Sequence, residues 1–204
     1  MLKQTTGLIA LAALAASICI AARAHAAPAE KTETITLGGG CFWGVEAVFE
    51  HTKGVSEAVS GYAGGTAETA QYSKVSGGGT GHAEVVQVTY DPKQITLDKL
   101  LDVYFTVAHN PTQLNYQGPD HGTQYRSAVF YSSPEQKKIV EAKIATLKSA
   151  DPIVTALEPL EKFYAAENYH QNYAAQNRYQ PYILMHDAPK VANLQKKFPE
   201  LYVK

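Results

Sequence analysis

The feature of this chain that most limits its fold is a strand, a glycine turn and a helix in direct succession. Residues 34–37 alternate between polar and apolar types, as a half-buried strand does, and glycines occupy 38–40. From Cys41 the apolar residues recur at helical spacing through Phe49. A second strand is predicted over 55–61, so the chain opens with a strand–helix–strand unit.

The rest of the chain continues to mix strands and helices. Strands are predicted over 82–90, 125–131 and 153–157, and helices are predicted to begin near Thr96, Ser133 and Pro189. No linker-like shift in composition and no internal repeat interrupts residues 33–200. We therefore predict a single α+β domain, with a mixed open sheet and packed helices around a ferredoxin-like strand–helix–strand core.

Composition excludes several classes of protein. The 18 basic and 19 acidic residues nearly cancel, which argues against a nucleic-acid binder or a protein held on acidic membranes. With 45% hydrophobic residues the chain can bury a core, so it is not disordered. Two cysteines, Cys19 and Cys41, are too few for a disulfide-stapled scaffold or a four-cysteine zinc site.

The first residues have the pattern of an export signal. Lys3 precedes an apolar, alanine-rich run over 7–22, and Ala24-His25-Ala26 fits a signal-peptidase site. An uncleaved anchor is the alternative, but the apolar run is short for a bilayer span. We predict a signal peptide over 1–26, a leader over 27–32 and the domain over 33–204. Cleavage would leave Cys41 as the one cysteine, in a periplasmic or secreted protein without stable membrane association.

Cys41 is the first candidate for chemistry. At the first turn of a helix, free N–H groups and the helix dipole favour a thiolate and lower the pKa of the thiol. The alternative is a core cysteine, because the stripe shared with Val45 would bury it. Position alone does not separate the two. A phosphate-binding loop is disfavoured because no Gly-Lys-Ser/Thr sequence follows the glycines.

Glu84 is the second candidate, because its face of the predicted strand also carries Val86, Val88 and Tyr90. Apolar neighbours would remove water and raise the pKa of the carboxyl group. The strand pattern alone nevertheless favours a hydrated, ionised edge residue near the strand start. The histidines at 82, 109, 121 and 170 have no metal-ligand spacing, whereas the turn-rich segment 118–126 is typical of a site loop.

Five short motifs resemble those of one family. Gly-Cys-Phe-Trp-Gly at 40–44 resembles the signature of the class A peptide methionine sulfoxide reductases, which act on the S epimer. Four further motifs follow in family order, at 61–65, 80–85, 120–127 and 166–171. The resemblance extends over roughly residues 33–195, and it implies an α+β fold.

The resemblance also implies roles for individual residues. Cys41 would attack the sulfoxide sulfur, while a protonated Glu84 and the hydroxyls of Tyr72 and Tyr125 would bind the sulfoxide oxygen. Asp120 would help to organise the site. Phe42 and Trp43 would hold the substrate methyl group, and His170 would contact the substrate. Cys41 would end as a sulfenic acid.

The sequence departs from the family where many members carry recycling cysteines. Gln180-Pro181-Tyr182 is followed by Ile183, and no cysteine follows Cys41 in these 204 residues. We therefore expect an external thiol reductant, such as a thioredoxin-like protein, a glutaredoxin or glutathione, and no cofactor or metal. The expected partners are oxidised proteins that contain methionine sulfoxide, and the enzyme is expected to be a monomer.

Other functions remain open at this stage. A one-cysteine peroxidase also needs an activated thiolate, and Arg126 is the one plausible residue to hold its peroxide. A cysteine hydrolase would pair Cys41 with a basic histidine. A non-catalytic module that binds oxidised proteins would leave Cys41 inert.

Overall fold

The computed structural model describes residues 31–204. The predicted signal peptide and most of the predicted leader lie outside this range. Within the range, no helix is both long and apolar enough to cross a membrane.

Eight strands and six α-helices make up the described chain. The strands are β1 Glu33–Gly38, β2 Val55–Ala63, β3 Ala83–Tyr90, β4 Tyr116–Gln117, β5 Asp120–His121, β6 Ala128–Tyr131, β7 Ala156–Pro159 and β8 Phe163–Ala165. The helices are α1 Phe42–Glu50, α2 Tyr72–Val75, α3 Leu97–Val103, α4 Pro134–Thr146, α5 Tyr173–Gln176 and α6 Ala188–Lys197. Two π-helical turns, Tyr104–Ala108 and Ile183–Asp187, precede a loop and α6, respectively.

The predicted fold class is confirmed. Six strands form one sheet in the order β7-β6-β1-β3-β2-β8, while β4 and β5 form a separate small hairpin. Neighbouring strands in the large sheet are antiparallel, except for the parallel pair β6 and β7, so the sheet is mixed. The run β1-α1-β2-β3-α3-β6 is the ferredoxin-like arrangement, and it places β3 between β1 and β2.

The main core lies between this sheet and α1. The helix is buried over most of its surface, and Val45, Val48 and Phe49 pack with Val86 and Val88 of β3. The opposite face of the sheet covers a second, smaller cluster around Val85 and Phe130. Because side chains alternate along a strand, Glu84 falls on the face toward α1.

Helix starts were predicted well. The Thr96 hydroxyl accepts a hydrogen bond from the Lys99 amide at 3.2 Å, which confirms a capped start for α3. The Ser133 hydroxyl accepts from the Gln136 amide at 3.2 Å at the start of α4. The Gln136 side chain does not complete a capping box with the Ser133 amide, because it accepts from the Ser132 amide instead.

The starts of two strands were predicted three residues too early in the chain. Residues 125–127 were expected in a strand, yet Tyr125 ends a 3-10 turn and β6 begins at Ala128. The reason is that β1 ends at Gly38, opposite Ala128, so the residues before Ala128 have no strand to pair with. Residues 153–155 likewise lie before β7, since the pairing of β7 with β6 begins at Ala156.

Candidate active site

Cys41 is the N-cap residue of α1 and follows a turn that requires glycine. Gly40 has φ +91°, and a Cβ there would lie 2.7 Å from the Cβ of Gln117. The Cys41 side chain belongs to the core and is 9% exposed. Both interpretations of Cys41 therefore hold in part, since the residue is at a helix start and is also largely buried.

The expected low pKa of Cys41 is wrong for the substrate-free protein. Burial raises the pKa of the thiol well above its ordinary value, and the carboxyl groups of Glu84 and Asp187 raise it further. The Trp43 amide at the helix start lowers it, as does Lys190, but these effects are smaller. The resting group is thus a thiol, because desolvation outweighs the helix terminus.

Glu84 is buried, and the expectation of a hydrated carboxylate is wrong. β3 is paired on both sides, so the side chain is only 2% exposed. Its Oε2 accepts a hydrogen bond from the Phe42 amide at 3.1 Å, next to Cys41. Burial raises the pKa of Glu84 to about 8 despite this bond, with a smaller contribution from Asp120. At neutral pH the carboxyl group is therefore protonated.

Tyr72 and Tyr125 come from separate segments to the surroundings of Glu84. Tyr72 begins α2, and its amide donates to Glu167 at 2.9 Å. Tyr125 belongs to the turn before β6. Burial raises the pKa of both phenols, and the nearby Glu84, Cys41 and Asp120 raise them further. Both groups therefore remain neutral and can donate hydrogen bonds.

Trp43 belongs to a cluster of aromatic side chains, the aromatic group, with Tyr173 and His170. The Trp43 ring stacks on Tyr173 with 3.8 Å between ring centroids, and the Trp43 Nε1 donates to His170 Nδ1 at 3.1 Å. The Trp43 side chain is partly exposed, whereas Phe42 is almost wholly buried against His170 and Tyr62. Of the two predicted methyl-binding rings, Trp43 is thus the one that solvent reaches.

His170 is 2% exposed and lies behind Trp43 rather than at the surface of the site. Burial lowers the pKa of its imidazole. Neutral His170 therefore accepts from the indole N–H and fixes the orientation of the Trp43 ring, which differs from the substrate contact expected of it.

Cys41 opens into a small pocket of about 100 Å³. The lining residues are Cys41, Gln117, Gly118, Pro119, Asp120, Tyr182, His186 and Lys190. The Tyr182 hydroxyl donates a short hydrogen bond to Asp120. Among residues 31–204, no cluster of histidine, cysteine and carboxylate side chains could hold a metal ion.

Comparison with known proteins identifies the family of this chain. The family model described as peptide methionine sulfoxide reductase matches residues 33–202. MsrA 2 of Mesorhizobium japonicum is 55% identical over 178 residues, which cover 85% of this chain and 91% of that protein. MsrA of Natronomonas pharaonis is 52% identical over 173 residues, or 83% of this chain and 97% of that protein. The chain belongs to the peptide methionine sulfoxide reductase family.

Solved structures of class A peptide methionine sulfoxide reductases share this fold. Methionine sulfoxide reductase A of Corynebacterium diphtheriae aligns with a TM-score of 0.66 at 40% identity, covering 74% of this chain and 78% of its own. The reduced form of Mxr1 from Saccharomyces cerevisiae aligns with a TM-score of 0.64 at 40% identity, covering 73% and 87%. The fold and the class expected from the motifs are thus confirmed.

Four residues of this peptide methionine sulfoxide reductase escaped the sequence analysis. Tyr182 belongs to the Gln-Pro-Tyr segment, for which the prediction concerned only the residue that follows, Ile183. Glu167, within the last motif, accepts from both the Tyr62 hydroxyl and the Tyr72 amide. Asp187 and Lys190 carry no motif, and only the packing of α6 on α1 brings them near Cys41.

Proposed function

We propose that this chain reduces methionine-S-sulfoxide, free and protein-bound, to methionine through Cys41 and an external thiol. The observation that carries the proposal is the buried, protonated Glu84 bonded to the Phe42 amide, one residue from the cysteine. A neutral carboxyl group can give a proton to a sulfoxide oxygen, and a carboxylate cannot.

The first half of the reaction transfers one oxygen atom. Glu84 and the hydroxyls of Tyr72 and Tyr125 bind the sulfoxide oxygen, which draws electrons from the substrate sulfur. As Glu84 gives its proton to that oxygen, the Cys41 sulfur attacks the substrate sulfur and its thiol proton returns to Glu84. The hydroxyl group then moves from the substrate sulfur to the Cys41 sulfur as the new S–S bond breaks, which leaves a sulfenic acid on Cys41 and releases methionine. The thiolate forms only as the oxygen is protonated, which is compatible with the high pKa of the resting thiol.

The partly exposed Trp43 is the ring against which the substrate methyl group would pack. An aromatic wall on one side and oxygen-binding groups on the other distinguish the two epimers, because exchanging methyl group and oxygen would misplace both. This supports selectivity for one epimer, and the resemblance to the class A reductases makes the S epimer the proposed one. Asp120, held by Tyr182, organises the adjoining wall of the pocket.

The second half of the reaction needs a reductant from outside. No cysteine follows Cys41 in the 204 residues, so we propose that a thioredoxin-like protein, a glutaredoxin or glutathione reduces the sulfenic acid. The export pattern over 1–26 supports a protein-repair enzyme that acts in the periplasm or outside the cell.

The contacts of Arg126 and His109 disfavour two of the rival functions. Arg126 is already bound to Glu158 and to the carbonyl oxygens of Thr123 and Gly81, so it is not available to hold a peroxide. His109 is bound to the Tyr104 carbonyl and the Ser127 hydroxyl, and burial lowers the pKa of its imidazole to about 3. A histidine with so low a pKa is a poor base for a cysteine hydrolase.

Turnover of the two epimers tests the proposed activity. With excess dithiothreitol, we expect methionine from methionine-S-sulfoxide and not from the R epimer. Without added thiol, we expect about one equivalent of methionine per protein and a trappable sulfenic acid on Cys41. Absence of epimer-selective turnover would contradict the activity, and continued turnover without thiol would contradict the need for an external reductant.

A further inference from the structure

Among the described residues, Lys190 is the one lysine or arginine in the wall of the Cys41 pocket, which also includes His186. It lies in the first turn of α6, and its side chain is 23% exposed. Glu84, Tyr72 and Tyr125 are not among the residues that line this pocket. Cys41 therefore has two distinct surroundings, one with proton donors for a sulfoxide and one with an ammonium group.

A buried carboxyl group holds Lys190 in place. The Asp187 side chain is fully buried, and neither of its oxygens has a hydrogen-bond partner among residues 31–204. The Lys190 Nζ lies 3.6 Å from Asp187 Oδ1. A buried, otherwise unpartnered carboxyl group is costly, so this arrangement needs the lysine beside it.

Gly44 allows both groups to approach the helix of the cysteine. A Cβ at Gly44 would lie 2.1 Å from Asp187 Oδ1 and 2.8 Å from Lys190 Nζ. The ammonium group is thus held against the first turn of α1, the turn that Cys41 caps. The transfer of oxygen from sulfoxide to Cys41 proposed above has no step in which this cation gives a proton or binds the substrate.

Reduction of the sulfenic acid has a requirement that this cation meets. An external thiolate must attack the Cys41 sulfur, and hydroxide must leave it, so one step brings in a negative charge and releases a strong base. Hydroxide leaves readily only when a proton reaches it.

We propose that the pocket between Cys41 and Lys190 is the subsite for the external thiol, with Lys190 attracting the thiolate and protonating the departing oxygen. A bond forms between the thiol sulfur and Cys41 Sγ while the Sγ–O bond breaks and water leaves. The proton lost by the thiol restores the ammonium group. A second thiol then releases Cys41 as a thiol and leaves the reductant as a disulfide, so two thiols are oxidised for each sulfenic acid.

The other polar groups of the pocket are compatible with this assignment. The Asp120 carboxyl group, on the same wall, accepts a hydrogen bond from the Tyr182 hydroxyl and so already has a partner within the pocket. Asp187 acts through Lys190 and is a positioning residue, whereas Lys190 lines the space where the reacting atoms meet. The inference rests on the proposed function and adds the place of its second step.

The test separates the two half-reactions in K190M and K190R. Protein is first treated with one equivalent of methionine-S-sulfoxide without thiol, and the methionine released is measured. Decay of the sulfenic acid is then followed by trapping and mass spectrometry, with anionic 3-mercaptopropionate and cationic cysteamine as alternative reductants. K196M, an exposed lysine of the same helix, is the matched control.

We expect K190M to release methionine as the wild type does but to lose its sulfenic acid about a hundredfold more slowly. The rate ratio of the anionic to the cationic thiol should fall about fivefold in K190M, as expected for one partly exposed charge. K190R should retain the ratio, and K196M should change neither quantity. The ratio is informative because a merely structural role would slow both thiols alike.

Three results would overturn the assignment: wild-type decay in K190M, an unchanged ratio, or loss of methionine release in a folded K190M. If K190M does not fold, the wild-type protein provides the test. Rising salt should lower its rate ratio of the anionic to the cationic thiol, and a ratio that does not change with salt would contradict the role of Lys190. Failure of the wild type to release any methionine would instead contradict the proposed function itself.

Discussion

Cys41 and Glu84 hold their protons for the same physical reason, which is loss of water around the charged form. The helix start favours a thiolate at Cys41, and the Phe42 amide favours a carboxylate at Glu84, yet burial outweighs both. The two groups also oppose each other's ionisation, since a negative Glu84 raises the pKa of the thiol. The state suited to oxygen transfer is the one in which both groups are protonated, because Glu84 gives its proton to the oxygen and Cys41 then returns one to Glu84.

The pH dependence of methionine formation follows from Glu84. Its pKa of about 8 means that the proton donor is lost as pH rises above that value. We expect the single-turnover rate to fall about tenfold per pH unit above pH 8, as for any single essential acid. Rapid-quench measurement of methionine release at about five pH values between pH 6 and pH 10 checks this.

The variant E84Q removes the transferable proton but keeps a similar shape. We expect a rate about a hundredfold to ten-thousandfold lower, with no fall above pH 8. The exposed Glu161 supplies the control variant E161Q, which should retain the wild-type profile. A profile for E84Q that still falls above pH 8 would assign the titration to another group.

Among the elements, α1 has the most exacting contacts. Its first turn carries Cys41 at the N-cap, Trp43 in the aromatic group and Gly44 beneath Asp187 and Lys190. Glycine normally weakens a helix interior by about 1 kcal/mol relative to alanine, so its presence here needs a reason. The approach of Asp187 supplies it.

The substitution G44A should therefore destabilise the protein, although alanine favours helices. The added Cβ must displace the buried carboxyl group, and we expect a loss of about 1–3 kcal/mol, the usual cost of overpacking. Denaturant unfolding measures it, with G77A as the control because a Cβ there would meet only the Lys74 carbonyl at 3.5 Å. Equal stability of G44A and the wild type would show that Asp187 can move without cost.

The turn before β6 is an element that depends on distant contacts. Arg126 bonds the carbonyl oxygens of Thr123 and Gly81 and pairs with Glu158 of β7 at 3.2 Å. These bonds hold the turn at the end of the sheet and so position Tyr125 near Glu84. The arginine thus acts as a structural clamp in this protein.

At the scale of the whole molecule, several buried ionisable groups share one response to pH. Burial raises the pKa of Glu46 to about 7, of Asp187 to about 6 and of Glu84 to about 8. The folded protein therefore binds more protons than the unfolded chain once the pH exceeds the ordinary carboxyl values, so stability falls as pH rises toward 8. His109 acts in the opposite direction, because burial lowers its pKa to about 3. The stability of the protein therefore gains from His109 as the pH rises from about 3 to the ordinary pKa of 6.5.

Three carboxyl groups outnumber one histidine, so we expect a lower free energy of unfolding at pH 8 than at pH 5. Glu46 lies outside the pocket of Cys41, and E46Q should raise stability above pH 8 by about 2 kcal/mol while changing it little at pH 5. Denaturant unfolding at both pH values checks this. The exposed Glu57 supplies the control E57Q, and equal effects of the two variants at every pH would contradict the role of burial.

Much of the fold could be predicted because its signals are local. The alternation over 34–37, the helical stripe after Cys41 and the capping residues Thr96 and Ser133 each act within a few residues, and the structure has the corresponding elements. Strand ends were less predictable. The start of β6 depends on where β1 ends, which is a pairing between distant segments.

The sequence by itself determined the kinds of element, the glycine turn before Cys41 and the set of motif residues from which the site is built. Only the tertiary structure decided how those residues behave. β3 became a central strand, which buried Glu84 and kept it protonated, and α6 packed on α1, which placed Asp187 and Lys190 beside Cys41. The reason is that local conformation depends on neighbouring residues, whereas a pKa depends on all the atoms that replace water around a group, and distant segments supply most of those atoms.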